Sequence, residues 1–137
     1  MQKTFTILKP DSVKAGNAGA IISLLEKEGF RICAMKMVHL TKAQAEGFYH
    51  VHKARPFFGS LVAFMTEAPV VLMVLEAGNA IEKLRKVMGA TDPAKADEGT
   101  IRKRFATNIE RNAIHGSDGV ETAVFEISYF FSQVEMV

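Results

Sequence analysis

The chain has one cysteine, Cys33, among 137 residues. No intrachain disulfide can form, so stability must come from burial and hydrogen bonding, and a reducing compartment suits the chain. Cys33 lies in Ile32-Cys33-Ala34-Met35, where a small core residue is the simplest assignment. Long apolar runs are missing too. The longest, Ala68 to Leu75, falls far below the roughly 20 residues that span a bilayer. Met1-Gln2-Lys3-Thr4 leads straight into a strand-like run with no secretory apolar region, so a cytoplasmic address is expected. Neither sign of charge dominates: 17 Lys and Arg against 15 Asp and Glu leave +2, too small an excess to argue for nucleic acid. Repeats, low-complexity tracts and Pro/Ser-rich linkers are absent. What remains, 48% hydrophobic and 23% charged residues, is the composition of a globular protein. Residues 1–137 are expected to form a single domain, able to bury roughly two-thirds of its unfolded surface.

Thr4 to Leu8 alternates threonine with apolar residues and reads as a strand. Ala18, Ile21, Ile22 and Leu25 share a helical face, and Gly29 offers a stop. Arg31 to Leu40 reads as a second strand. Thr41-Lys42-Ala43-Gln44 has capping-box spacing and predicts a helix start. Phe58 to Met65 reads as a short helix with Leu61, Val62 and Met65 inward. Val70 to Leu75 is apolar throughout, as a central strand would be. Asn79 to Met88 reads as a helix with Ile81, Leu84, Arg85 and Met88 near one face. Gly89 to Gly99 is a charged, turn-rich loop, and loops of that length are usually functional. A helical turn over Thr100 to Arg104, a short strand beginning at Ala113-Ile114, and a last helix with capping spacing at Asp118-Gly119-Val120-Glu121 complete the order. Mixed strands and helices in one small unit predict an α/β (α+β) sandwich of the ferredoxin-like type, with a four-stranded antiparallel sheet covered by helices.

Of the four histidines, His39, His50 and His52 read as surface or packing residues. His50-x-His52, with no partner cysteine or carboxylate pair, is a poor zinc signature. His115 stands apart, in Asn112-Ala113-Ile114-His115-Gly116-Ser117-Asp118. The following glycine allows tight backbone and close ligand approach, and Ser117-Asp118 supplies polar groups at a helix start that suits an anion. A plain turn and cap would look the same. Lys9, Arg85 and Arg102 are cations available for phosphate, whose transfer rests on positioning and charge stabilisation. Phe57, after Arg55-Pro56, is placed to stack on a base if its ring faces outward. No Gly-rich phosphate loop ending in Lys-Ser/Thr, no protein-kinase motif set, no Gly-x-Ser-x-Gly elbow and no His-Glu-x-x-His site occurs.

Taken together these motifs resemble the nucleoside diphosphate kinase family. Asn112-x-x-His115-Gly116-Ser117-Asp118 is similar to its signature. Lys9-Pro10-Asp11, Arg55-Pro56-Phe57-Phe58, Gly89-Ala90-Thr91-Asp92-Pro93 and Gly99-Thr100-Ile101-Arg102 follow in family order across nearly the whole chain. The resemblance implies a ferredoxin-like fold and ping-pong transfer of the γ-phosphate of ATP, or another nucleoside triphosphate, to a nucleoside diphosphate through a phosphohistidine at His115. It implies that Lys9, Arg85, Thr91 and Arg102 hold phosphates, Asn112 the sugar, and Phe57 the base. Tyr49 would lie close to His115, and Glu126 with Ser117 would orient the imidazole. Magnesium would arrive with the nucleotide, with no dedicated protein site. The loop Gly89 to Ala113 would line the site and contribute to subunit contacts in a homotetramer or homohexamer. The sequence ends soon after its last helix, without the longer tail of many family members, which leaves both assemblies open. Two departures stand out. Arg104 occupies a position that is commonly acidic, which puts a local ion pair in doubt, and Ala54 replaces a residue that is often charged.

Two rival readings remain. A non-enzymatic nucleotide binder would need the cations and the stacking ring but not His115 with Glu126. A nucleic-acid binder would use Lys83, Arg85, Lys86, Arg102, Lys103, Arg104 and Arg111, yet two tyrosines and aromatic-poor strands offer little for stacking RNA on a sheet.

Overall fold

The computed structural model describes residues 1–137. Its strands are β1 (Gln2–Leu8), β2 (Arg31–Val38), β3 (Val70–Ala77) and β4 (Ile114–Gly116). Its helices are α1 (Pro10–Lys14), α2 (Ala18–Lys27), α3 (Lys42–Phe48), α4 (Phe58–Met65), α5 (Ala80–Met88), α6 (Ile101–Phe105) and α7 (Val120–Phe130). The sheet order is β2-β3-β1-β4 and each neighbouring pair is antiparallel. This is the predicted ferredoxin-like α+β sandwich. No helix is long and apolar enough to cross a membrane.

The sheet is covered on both faces, so β3 is buried along nearly its whole length, which accounts for its unbroken apolar run. Leu8, Val71, Met73 and Leu75 pack beneath α2 and α5 with Ile21, Leu25 and Leu84. Phe5, Ile7, Leu72 and Val74 face the other way, against Phe48, Tyr49, Phe64, Met65 and Phe131. Cys33 is fully buried in that second core. It sits at a register shift between Ile32 and Ala34, and its carbonyl accepts the Val137 N–H at 2.8 Å.

The local signals hold in most places. Thr41 Oγ1 accepts from Gln44 N, and Gln44 Oε1 accepts from Thr41 N, the expected capping box. Thr100 caps α6 by accepting from Lys103 N. Differences fall at element ends. β2 stops at Val38, because Leu40 turns inward and is buried. In α4 Phe64 is buried with Val62 and Met65, while Leu61 is only partly covered. Arg85 stays exposed at the margin of the face that buries Ile81, Leu84 and Met88. The last helix begins at Val120 behind Gly119, and the Asp118–Glu121 spacing does not cap it. Thr122 does that work, accepting from Gly119 N at 3.0 Å and donating to Asp118 Oδ1 at 2.8 Å. The short helix α1 was not expected. Pro10 opens it with a fixed φ and no N–H to lose.

Candidate functional site

His115 lies on edge strand β4 and pairs with Ile7 of β1. Residues opposite each other in an antiparallel pair share a face, so the imidazole points with Ile7 and Phe5 toward α3 and α7. Three rings surround it edge-on or nearly so: Phe48 at 5.5 Å, Phe5 at 6.3 Å and Tyr49 at 6.3 Å between centroids. Phe5 and Phe48 had no role in the sequence reading. The alternation of β1 would have offered Phe5 only once its pairing with β4 was known.

Glu126 reaches the imidazole from α7. Its Oε1 lies 2.9 Å from His115 Nε2 and accepts the Ser117 hydroxyl at 2.7 Å. An ionised carboxylate only accepts, so Nε2 carries the proton and Nδ1 is left with its lone pair. The backbone under the ring is also held. Thr6 Oγ1 donates to the His115 carbonyl at 2.7 Å.

Gly116 has a different role from the one its position suggested. A Cβ there would come within 2.7 Å of Met88 Sδ and 3.0 Å of Leu84 Cδ2. The glycine lets β4 close against α5, which is a packing requirement and not room for a ligand.

A cationic cradle sits beside β4. Lys9 follows β1, is 7% exposed and donates from Nζ to Asn112 Oδ1 at 2.8 Å. Burial, reinforced by the Arg102 charge, lowers its pKa to about 8 against a partial offset from Asp11 and Glu110. Arg102 is buried too, donating to the Gly89 carbonyl at 3.1 Å and the Ile114 carbonyl at 2.8 Å. Burial first and the Arg85 charge second bring its pKa to about 10. Its Nε–H is buried without a partner. Asn112 Nδ2 reaches the Thr91 carbonyl at 3.3 Å, tying the loop after α5 to the strand that carries His115. Thr91 itself is exposed. Arg85 makes no ion pair within the chain. With Asp118 and Gly119 it lines an open cleft of about 510 Å³.

Tyr49 is buried and its hydroxyl has no partner. Burial, and then the Glu126 charge, push that phenol well above its usual range, so it stays a donor. From Tyr49 a row of rings leads outward: His52 at 6.5 Å from Tyr49, then Phe57 at 5.6 Å from His52. Phe57 is 45% exposed, as a stacking ring must be. His39 Nε2 donates to the Thr66 carbonyl and His50 Nδ1 to the Gly47 carbonyl, both on the surface. Arg104 is exposed and lies over the Phe105 ring at 4.9 Å. It forms no ion pair where an acidic residue was the resemblance's norm.

Comparison with known proteins identifies the family. The family model described as nucleoside diphosphate kinase matches residues 2–136. A nucleoside diphosphate kinase of Anaeromyxobacter dehalogenans is 58% identical over 136 residues, covering 99% of this chain and 92% of that protein. One from Nitratidesulfovibrio vulgaris is 55% identical over 137 residues, covering 100% and 99%. Among solved structures, the Aquifex aeolicus nucleoside diphosphate kinase superposes with a TM-score of 0.97 at 43% identity, covering 99% of each chain. A Halobacterium salinarum nucleoside diphosphate kinase in complex with CDP gives 0.96 at 38% identity, covering 99% of this chain and 91% of that one. With a sheet, a histidine and a cationic cradle arranged as described, and with matches along its whole length, the chain belongs to the nucleoside diphosphate kinase family.

Proposed function

We propose that this phosphotransferase carries the phosphate on Nδ1 of His115. The observation that carries the reading is the Glu126 carboxylate on Nε2. It fixes the tautomer in which Nδ1 is the nucleophile, and it balances the positive charge that the ring gains on phosphorylation. The Nδ1 lone pair attacks the γ-phosphorus of a nucleoside triphosphate, the bond from that phosphorus to the bridging oxygen breaks, and a diphosphate departs. A second diphosphate then attacks the phosphohistidine through a terminal oxygen, and the ring leaves neutral. Donor and acceptor occupy one site in turn, so the kinetics are ping-pong.

Lys9 and Arg102, buried cations beside β4, are suited to the phosphates, with the exposed Arg85 and Thr91 further out. Asn112, beside Lys9, is suited to the sugar. The unpartnered Tyr49 hydroxyl adds a donor next to the imidazole. Phe57 offers a π-face that any base can use, so selectivity among bases should be weak. Magnesium bound with the nucleotide would supply charge neutralisation at the phosphates. The side chains facing the phosphates are cations, which suits a metal held by the nucleotide and water and not by the protein. ATP, other nucleoside triphosphates and nucleoside diphosphates are the ligands of this reading. CDP occupies the Halobacterium relative, in accord with it.

Assembly as a homotetramer or homohexamer belongs to the same reading. Edge strand β2 leaves Met35 and Met37 exposed, a surface suited to association of copies. A cytoplasmic location fits a chain whose cysteine is free.

The test is incubation with magnesium and γ-labelled ATP, beside His115→Ala. Label stable to base, lost in acid, absent from the variant and chased by any nucleoside diphosphate is the expected result. A folded wild-type protein that binds ATP without taking label would overturn the reading.

A further inference from the structure

The chain makes an unusual bend just before His115. Ala113 is fully buried and has φ +75°, a region that residues with a side chain rarely adopt. The Ile114 N–H closes back onto the Asn112 carbonyl at 2.9 Å. A bond spanning two residues about a positive φ is the rare, strained form of the γ-turn. It turns Asn112 toward Lys9 and starts β4 with His115 on the face of α7.

Such a turn persists only where its surroundings over-determine it. Here both polar groups of Ala113 are held by the Lys9–Ser12 segment. Asp11 Oδ2 accepts the Ala113 N–H at 3.0 Å. The Ala113 carbonyl accepts the Lys9 N–H at 2.9 Å and the Ser12 hydroxyl at 2.8 Å. The same segment supplies Lys9 Nζ to Asn112. One short stretch therefore holds the turn and carries a cation of the cradle. Asp11 Oδ1 is buried without a partner, so the carboxylate's one contact of this kind to the turn is through Oδ2.

We propose that Asp11 is a positioning residue, its carboxylate holding the Ala113 turn so that Nδ1 of His115 stands in line with a phosphate gripped by Lys9, which Asn112 holds in place. This rests on His115 as the phosphate acceptor. Asp11 makes no hydrogen bond to the imidazole; its carboxylate accepts from the Ala113 N–H. It acts through the backbone, and its loss should show in the rate of transfer more than in nucleotide binding.

The experiment compares wild type, Asp11→Ala, Asp11→Asn, Ser12→Ala and the double variant Asp11→Ala/Ala113→Gly. Each is followed by the single-turnover rate of His115 labelling from γ-labelled ATP with magnesium, by kcat and KM, and by thermal unfolding. Displacement of a reacting group by about 1 Å can cost on the order of 100-fold in rate. Asp11→Ala is expected to slow labelling about 10-fold or more, with a smaller change in KM. The asparagine amide oxygen still accepts the Ala113 N–H, so Asp11→Asn should recover most of the rate. Glycine adopts φ +75° without strain, so the double variant should recover part of it. Ser12→Ala, which loosens the other side of the turn, should slow labelling less than Asp11→Ala, and with Asp11→Asn it carries the test if Asp11→Ala does not fold. Labelling of Asp11→Ala within about 2-fold of wild type, or Asp11→Asn as slow as Asp11→Ala, would overturn the proposal. So would a loss confined to KM. Unlabelled wild type would instead point to failure of the phosphohistidine reading.

Discussion

Replacing Glu126 by glutamine keeps the shape of the side chain and an oxygen that can accept from His115 Nε2, but removes the charge. In the structure Glu126 Oε1 takes two donors, His115 Nε2 at 2.9 Å and Ser117 Oγ at 2.7 Å, with its side chain 12% exposed. The neutral ring already donates to an ionised acceptor, and the ring made cationic by phosphorylation adds a second charge to what is then a fully charge-assisted hydrogen bond. Such bonds contribute about 1.5–3 kcal/mol, against about 0.5–1.5 kcal/mol for neutral ones. The difference belongs to the transition state, so it lowers kcat and leaves nucleotide affinity nearly intact. At about 1.4 kcal/mol per factor of ten, Glu126→Gln should slow labelling of His115 by roughly 10-fold, and by no more than about 60-fold. Ser117→Ala, which removes one neutral donor, should cost no more than about 10-fold. Rapid-quench labelling with γ-labelled ATP measures this step alone, and ATP affinity is measured separately. A Glu126→Gln protein labelled at the wild-type rate would refute the argument that the carboxylate balances charge on the ring.

Phe57→Ala should raise KM for purine and pyrimidine nucleotides by similar factors. Base stacking is worth about 1–3 kcal/mol, roughly 5- to 150-fold, and steady-state kinetics across the bases would reveal any selectivity that contradicts this. Lys9 should give opposite pH trends in binding and in stability. Its pKa falls from 10.5 to about 8 in the folded protein, so the unfolded chain holds the proton more tightly between those values. Stability from this group rises as pH climbs through that window, while phosphate binding weakens as the charge is lost. Lys9→Met should flatten both profiles, read by KM and by thermal unfolding from pH 7 to pH 10. Gly116→Ala should cost about 1–3 kcal/mol by overpacking, because its Cβ would meet Met88 Sδ at 2.7 Å. Met88→Ala in the same chain should recover part of that loss, as differential scanning calorimetry would show. Glu67, held down to about 2 by Arg111 first and Lys14 second, should contribute stability that is lost as pH falls from 4.5 toward that value. Glu67→Gln should remove this acid sensitivity in a pH series of thermal unfolding.

The sequence by itself determined the period of most elements, the cap at Thr41 and the candidate groups for the chemistry. Thr41-x-x-Gln44 caps a helix in any surroundings, since both partners are local. An apolar run such as Val70 to Leu75 demands burial on both faces wherever it lies. The motif residues His115, Lys9, Asn112 and Arg102 could be named because their types suit phosphate chemistry and their order resembles a known family. Their geometry could not be read, because it depends on contacts between residues about a hundred positions apart. Only pairing of β4 with β1 puts His115 among Phe5, Phe48 and Tyr49. The docking of α7 brings Glu126 to Nε2 and so decides which ring nitrogen is free. The use of Gly116 for packing on α5 and the grip of Asp11 and Ser12 on Ala113 were hidden for the same reason. Local preference is a property of a few consecutive residues, whereas a site belongs to the register and packing of separate elements, which are set only when the whole core closes.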